Sequence, residues 1–247
     1  MDDEAVTARP PEAMTGGTPP GRSRGRLADE VYDALLGQMM SLRIEPGSRV
    51  TIDALARELG VSQTPIRDAL NRMEAEGLVV RVPHAGYRIP PQITRHRFED
   101  MLEVRLLLEP AAARRSAERA SPKQVAGMRR MLEDMAELEG GKGPMAYGAF
   151  GLRDAAFHDL VALSAENQVI REALARLHTH VHLFRLHRDA QVTHLAMAEH
   201  EEVLAAIAAR DPDAAAYAMR RHILRSGERF RRLFDEAEAA EGIAEKA

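Results

Sequence analysis

A mainly α-helical protein in two parts is predicted by three features of the sequence. Apolar residues recur at helical spacing along most of the chain. Strand-like content is confined to LVVRV (78–82) and YRI (87–89), joined by the turn PHAG. Pro90 and Pro91 then stiffen the exit and mark a boundary, beyond which no strand signal appears. The fold expected from these features is an N-terminal winged helix-turn-helix over 26–91 and an all-helical bundle of six or so helices over 98–238.

The elements follow in order. Residues 1–25, with PPEAMTGGTPPGRSRG, offer almost nothing apolar to bury and predict a disordered tail. Val31, Leu35, Leu36, Met39 and Met40 predict a first helix at about 27–43, stopped by EPGS. Thr51 can cap a short second helix with Ile52, Leu55, Ala56 and Leu59 on one stripe, and Gly60 can end it. SQTPIRDALNRMEAEG (62–77) predicts a third helix, begun by Ser62 or Thr64 with Pro65 in its first turn, burying Ile66, Ala69, Leu70 and Met73. After Phe98, helical segments are predicted at about 98–119, 122–139, 145–164, 168–188, 191–209 and 212–238. Ser121 and Asp211 each precede a proline and supply caps, while GGKGP (140–144) and SAEN (164–167) interrupt the pattern.

Composition sets bounds on what the chain can be. With 247 residues, 45% of them apolar, it can bury a substantial core. The absence of cysteine excludes disulfides and thiolate metal sites and fits a reducing compartment. No apolar run approaches the roughly 20 residues of a membrane span, and MDDEAVTARPPEAM lacks the form of a signal peptide. A cytoplasmic protein without membrane contact is the expectation.

The net charge of −4 divides unevenly. Residues 1–21 hold one Arg against four acids, 22–97 twelve Arg against nine acids, and 98–247 the remaining 21 bases against 25 acids. Only the middle segment is positive, by three charges, which permits contact with nucleic acid. Ser62, Gln63, Thr64, Arg67 and Arg72 take outward positions on the third helix, with Arg81, His84, Gly86 and Arg88 on or near the wing. The first turn of a helix in the major groove presents side chains to base edges, and Arg suits bidentate contact with guanine or phosphate. Ordinary solvated helix positions carry the same residue types.

The stretch PGSRVTIDALARELGVSQTPIRDALNRMEAEGLVVRVPHAGYRI (46–89) resembles the winged helix-turn-helix of GntR-type bacterial transcription regulators. EVRLLLEPAAARRSA (103–117) resembles the opening helix of the FCD-type effector-binding domain of the FadR subgroup. The resemblance spans about 26–238 and rests on "SxTPxRxAL", "EGLV" and "EVRxxLEP" in the expected order. It implies that Arg67, residues 62–64 and Gly86 contact DNA. Gln63 stands where many members carry Arg, so the base read there is expected to differ.

RDAAFHDL (153–160) puts Asp154 and His158 one helical turn apart on one face. From spacing alone a metal site, an acid–base pair and a simple helix ion pair all remain open. Ten histidines are present; His178 and His182 form a second i, i+4 pair, with His180 expected on the opposite side of that helix. The resemblance implies a divalent ion held by an Asp, a His four residues on, and histidines near "EHxxxxxAI" and "MRxHI". These positions are Asp154, His158, His200 and His222. Three imidazoles and a carboxylate suit Zn²⁺ or Ni²⁺ and also accept Mn²⁺.

The resemblance further implies a small carboxylate effector, with Arg105 of the "EVR" motif pairing with the acid unless Glu103 or Glu109 claims it. A regulator that binds a palindromic double-stranded DNA operator as a homodimer, and is not an enzyme, is therefore expected. The rival is a metal-dependent hydrolase or lyase with Asp159 or Glu103 as general base, which would leave the winged helix without a use.

Overall fold

The structure, a computed structural model, describes residues 24–139, 144–186 and 190–244. Most of the tail expected at 1–25, and residues 140–143 of the GGKGP interruption, lie outside the described residues. The N-terminal unit runs α1 (Arg24–Met40), β1 (Arg49–Val50), α2 (Ile52–Leu59), α3 (Gln63–Ala75), β2 (Val80–Val82) and β3 (Gly86–Arg88). The Thr51 side chain accepts from the Ala54 N–H, and Gly60 closes α2 in the left-handed region at φ 67°. Leu35, Leu55, Ile66, Leu70, Met73, Tyr87 and Ile89 are buried together, so both helices of the turn and the wing share one core.

The expected hairpin is one strand short of what forms. The sheet is antiparallel in the order β1-β3-β2, with Arg49 opposite Arg88 and Val82 opposite Gly86. β1 has two residues and no periodicity of its own, so it leaves no readable pattern. Gly86 has φ 83°, and a Cβ there would meet the Val50 carbonyl oxygen at 2.6 Å. The glycine is therefore required where β3 crosses β1.

The helical unit comprises α4 (Arg95–Arg119), α5 (Pro122–Glu139), α6 (Pro144–Ser164), α7 (Gln168–Arg176), α8 (Thr179–Phe184), α9 (Ala190–Ala208) and α10 (Pro212–Ala244). Ser121 Oγ accepts from the Gln124 N–H at 3.3 Å and Asp211 Oδ1 from the Ala214 N–H at 2.9 Å, so both Pro-led helices are capped as expected. Ion pairs Arg231–Glu99 and Arg114–Asp213 zip α4 to α10 in antiparallel sense. The single helix expected at 168–188 is instead two. His178 takes a left-handed conformation at φ 45° between α7 and α8, without a Gly or Pro to announce the break.

The two units are tightly joined. Gly148 and Gly151 let α6 approach α1: a Cβ on Gly151 would lie 2.5 Å from Met40 Cε and 2.7 Å from the Phe184 ring. Val181 of α8 is buried in the core of the N-terminal unit. The fully buried Arg185 donates through Nη2 to the Pro90 carbonyl at 2.6 Å, and its own carbonyl accepts from Gln92 Nε2 at 2.9 Å.

Candidate DNA interface and metal centre

Ser62, Gln63, Thr64 and Arg67 are exposed over the first turns of α3. Ser62 is the N-cap residue, yet its side chain makes no cap hydrogen bond. The first N–H groups of the helix therefore face outward and, with the helix dipole, favour an anion. Gln63 Nε2 donates to Asp53 Oδ1 at 2.6 Å, which fixes its amide against α2.

Arg72 is exposed on the same outward face, as expected, and also lies against α1. Its guanidinium lies 4.0 Å from the centre of the Tyr32 ring and pairs with Asp29 at 3.2 Å and Glu76 at 3.1 Å. His84 is exposed in the wing turn at φ 59°, and Arg81 and Arg88 are exposed on the strands beside it. Tyr87 Oη donates to Asn71 Oδ1 at 3.1 Å and ties the wing to α3. Arg49 stands opposite Arg88 and adds an exposed positive charge that the sequence reading missed, because β1 was not visible.

The bundle brings the expected ligand residues together. α6 supplies Asp154 and His158, α9 supplies His200 and α10 supplies His222, all buried. Nitrogens of His158, His200 and His222 lie within 4.8 Å of one another, and Asp154 Oδ1 is 3.2 Å from His200 Nε2. His158 Nδ1 is 2.6 Å from Glu109 Oε2, and His222 Nδ1 is 2.9 Å from Glu199 Oε2. Carboxylates accept, so both rings donate from Nδ1 and leave Nε2 as a lone-pair donor. His158 Nε2 and both His200 nitrogens are buried without a hydrogen-bond partner. Orphaned buried nitrogens are costly in an apolar interior, and a divalent cation satisfies them, so the residues present fit such an ion.

Electrostatics favour the same occupant. Burial, and next the neighbouring His222, push His200 well below the usual histidine range; burial also lowers His222. These rings are neutral near pH 7, the form that ligates. Burial works against ionised Asp154, but the facing His180 and His200 outweigh it and hold the carboxyl well below its usual range. Burial likewise opposes Glu109, and Arg105 and His158 overcome it. Glu199 is held down to about 2 against burial by Arg229 and His222.

His180, expected on the side of its helix opposite His178 and His182, faces Asp154. Its Nε2 is 3.1 Å from Asp154 Oδ2, and Asp154, His158 and His180 form a second group with ligand atoms within 4.8 Å. The sequence reading named no partner for His180, because the contact joins α8 to α6, far apart in sequence. His178 and His182 belong to no metal-competent group among the described residues.

Arg105 is almost fully buried and pairs with Glu109. A cavity of about 230 Å³ opens beside the histidines, with Leu36, Glu109, His158, Asp159, Arg171 and His180 in its wall. Arg171 grips Asp159 through two contacts of 2.8 Å, which occupies the aspartate named as a possible general base. Glu103 is exposed on α4.

A winged helix-turn-helix joined to a helical bundle is an architecture used by DNA-binding transcription regulators. The chain belongs to the GntR family of bacterial regulatory proteins and carries an FCD domain: the gntR family model matches residues 27–89 and the FCD domain model residues 100–225. It is 27% identical over 184 residues to the Nta operon transcriptional regulator of Aminobacter aminovorans, covering 74% of this chain and 85% of that one. It is 28% identical over 203 residues to a probable D-xylose utilization operon transcriptional repressor of Paenarthrobacter nicotinovorans, covering 81% and 87%. Among solved structures, McbR/YncC of E. coli shares the fold with a TM-score of 0.69 at 18% identity, over 84% of this chain and 98% of that one. No helix among the described residues is long and apolar enough to cross a membrane.

Proposed function

We propose that this regulator binds a palindromic double-stranded operator as a homodimer, and that a small carboxylate effector and a divalent ion in the FCD domain set its affinity for DNA. The observation that carries the metal half is the convergence of Asp154, His158, His200 and His222 from three helices, with His158 Nε2 and the His200 nitrogens buried and without a hydrogen bond. Glu109 and Glu199 orient two of the rings. Three imidazoles and one carboxylate suit Zn²⁺ or Ni²⁺, with Mn²⁺ also accommodated. When bound, the ion supplies a Lewis-acidic position for a carboxylate oxygen. The cavity of about 230 Å³ against His158 suits a small organic acid, and the buried guanidinium of Arg105, one residue removed through Glu109, adds positive charge to the site.

On the DNA side, Ser62, Gln63, Thr64 and Arg67 read or clamp the operator from the start of α3, and the wing with His84 and Gly86 follows the backbone. Arg72 serves this surface by fixing α3 to α1 through Tyr32 and Asp29. Two copies related by a dyad match a palindrome and add the affinity of paired half-sites. Two relatives are named for operons, one of them for D-xylose utilization, which supports control of a metabolic operon.

The test is elemental analysis of untagged protein by plasma mass spectrometry, with operator titrations before and after chelation and with a panel of small organic acids. Stoichiometric metal, and an operator affinity moved by at least one acid, are the expected results. Metal-free protein with an unresponsive operator affinity would refute the proposal.

A further inference from the structure

The short helix α8 touches everything that a coupling element would need to touch. His180 places Nε2 3.1 Å from Asp154 Oδ2, while His200 approaches the other oxygen, Oδ1, at 3.2 Å. Asp154 is thus flanked on both oxygens by imidazoles, one from α9 and one from α8. Asp154, His158 and His180 meet the same 4.8 Å spacing as His158, His200 and His222. His180 Nε2 is buried and makes no hydrogen bond of acceptable geometry. It also lines the cavity, together with His158.

One residue further on, Val181 is 6% exposed, packed in the core of the winged helix-turn-helix and not in that of the bundle. At the far end of α8, Arg185 clasps the interdomain segment through the Pro90 carbonyl and Gln92. A six-residue helix has no room to move one of these side chains without the others.

We infer that His180 is a fifth ligand of the ion, and that α8 transmits occupancy of that ligand position to the seating of the DNA-binding unit. This rests on the metal reading above and adds a residue and a route to it. With the ion bound, His180 holds α8 against α6, Val181 stays seated and the linker stays clasped. Without the ion, or with His180 displaced from it, α8 is free to shift, and the orientation of the winged helix shifts in population with it.

The experiment uses the full chain and Zn²⁺ alone. Zinc affinity is measured by competition with a chromogenic chelator, and amide hydrogen exchange is followed across 179–186, for wild type, His180→Ala, His180→Gln and Val181→Ala. In wild type, Zn²⁺ is expected to slow exchange in α8. Both His180 variants should still bind Zn²⁺ through the other four residues, about 10-fold more weakly or less tightly still, with α8 exchange no longer slowed by the metal. Val181→Ala should bind Zn²⁺ as wild type does, but operator affinity should lose its response to the metal. If a His180 variant fails to fold, Val181→Ala and the wild-type exchange pattern still decide the matter. Equal zinc affinity and equal protection of α8 in wild type and the His180 variants would overturn the inference while leaving the four-residue site intact. Failure of wild type to bind Zn²⁺ would instead remove the metal reading, and the inference with it.

Discussion

His158 donates from Nδ1 to Glu109 Oε2 across 2.6 Å, and Glu109 takes Arg105 on its other oxygen. One buried carboxylate thus sets the tautomer of a ligand histidine and pairs with the buried Arg105 guanidinium. Glu109→Gln should keep the shape, lose the charge and weaken Zn²⁺ binding by about 10–100-fold. Chelator competition measures this; unchanged affinity would show that Glu109 serves only Arg105.

His200→Ala and His222→Ala each remove a ligand from a different helix. Either change should reduce metal content and abolish the rise in melting temperature on adding Zn²⁺, because an ion bound only by the folded state stabilises it. His178→Ala should do neither. Full metal content in the His200 and His222 variants would point to the wrong residues.

On the operator, Arg67→Ala should weaken binding by about 1–3 kcal/mol with the fold intact, and log affinity of wild type should fall linearly with log salt, by about 0.9 per phosphate contacted. Arg72→Ala should act differently, because its guanidinium faces Tyr32, Asp29 and Glu76. A modest loss of melting temperature with little change in salt slope is expected. Fluorescence anisotropy over a salt series separates the two behaviours.

Gly86→Ala tests the wing. The new methyl carbon would sit 2.6 Å from the Val50 carbonyl oxygen at a residue whose φ is 83°. Separation of β1 from β3 and a loss of about 1–3 kcal/mol should follow, read as a lower urea midpoint. Wild-type stability with weakened operator binding would instead make the glycine a DNA-contact requirement alone.

Burial, aided by Arg185, pushes His182 down to about 4. Unfolded His182 takes its proton near 6.5, whereas the folded ring resists until about 4. Its contribution to stability is therefore present above pH 6.5 and lost as pH falls towards 4, by at most about 1.4 kcal/mol per pH unit. His182→Leu should flatten the decline of melting temperature between pH 6.5 and 4.5. An unaltered pH profile would contradict the assignment.

Capping chemistry was the most legible part of the fold. Thr51 and Gly60 bound α2, and the Ser121-Pro122 and Asp211-Pro212 pairs start α5 and α10, because these signals act within three or four residues. Asp154 and His158 were legible as a pair for the same reason. Three features were not. β1 is held by its partner strand and has no pattern of its own. The α7–α8 break rests on a left-handed histidine with no Gly or Pro to announce it, so the approach of His180 to Asp154 was not readable. Arg72 is solvent-facing on α3 as read, but its partners Tyr32 and Asp29 on α1 are not visible locally. Local rules carried as far as local forces do; contacts between elements far apart in sequence decided the rest.

The seating of Val181 in the winged-helix core and the clasp of Arg185 on Pro90 also bear on how this chain can be taken apart. A fragment ending near residue 91 would carry a hole where Val181 belongs, and its complement would display that valine to water above an arginine that has lost its carbonyl. Each half would be less stable than it is in the intact chain. Heat should therefore melt the protein in one step, and shuffling this head onto another FCD body would require the receiving α8 to bring its own peg for the socket.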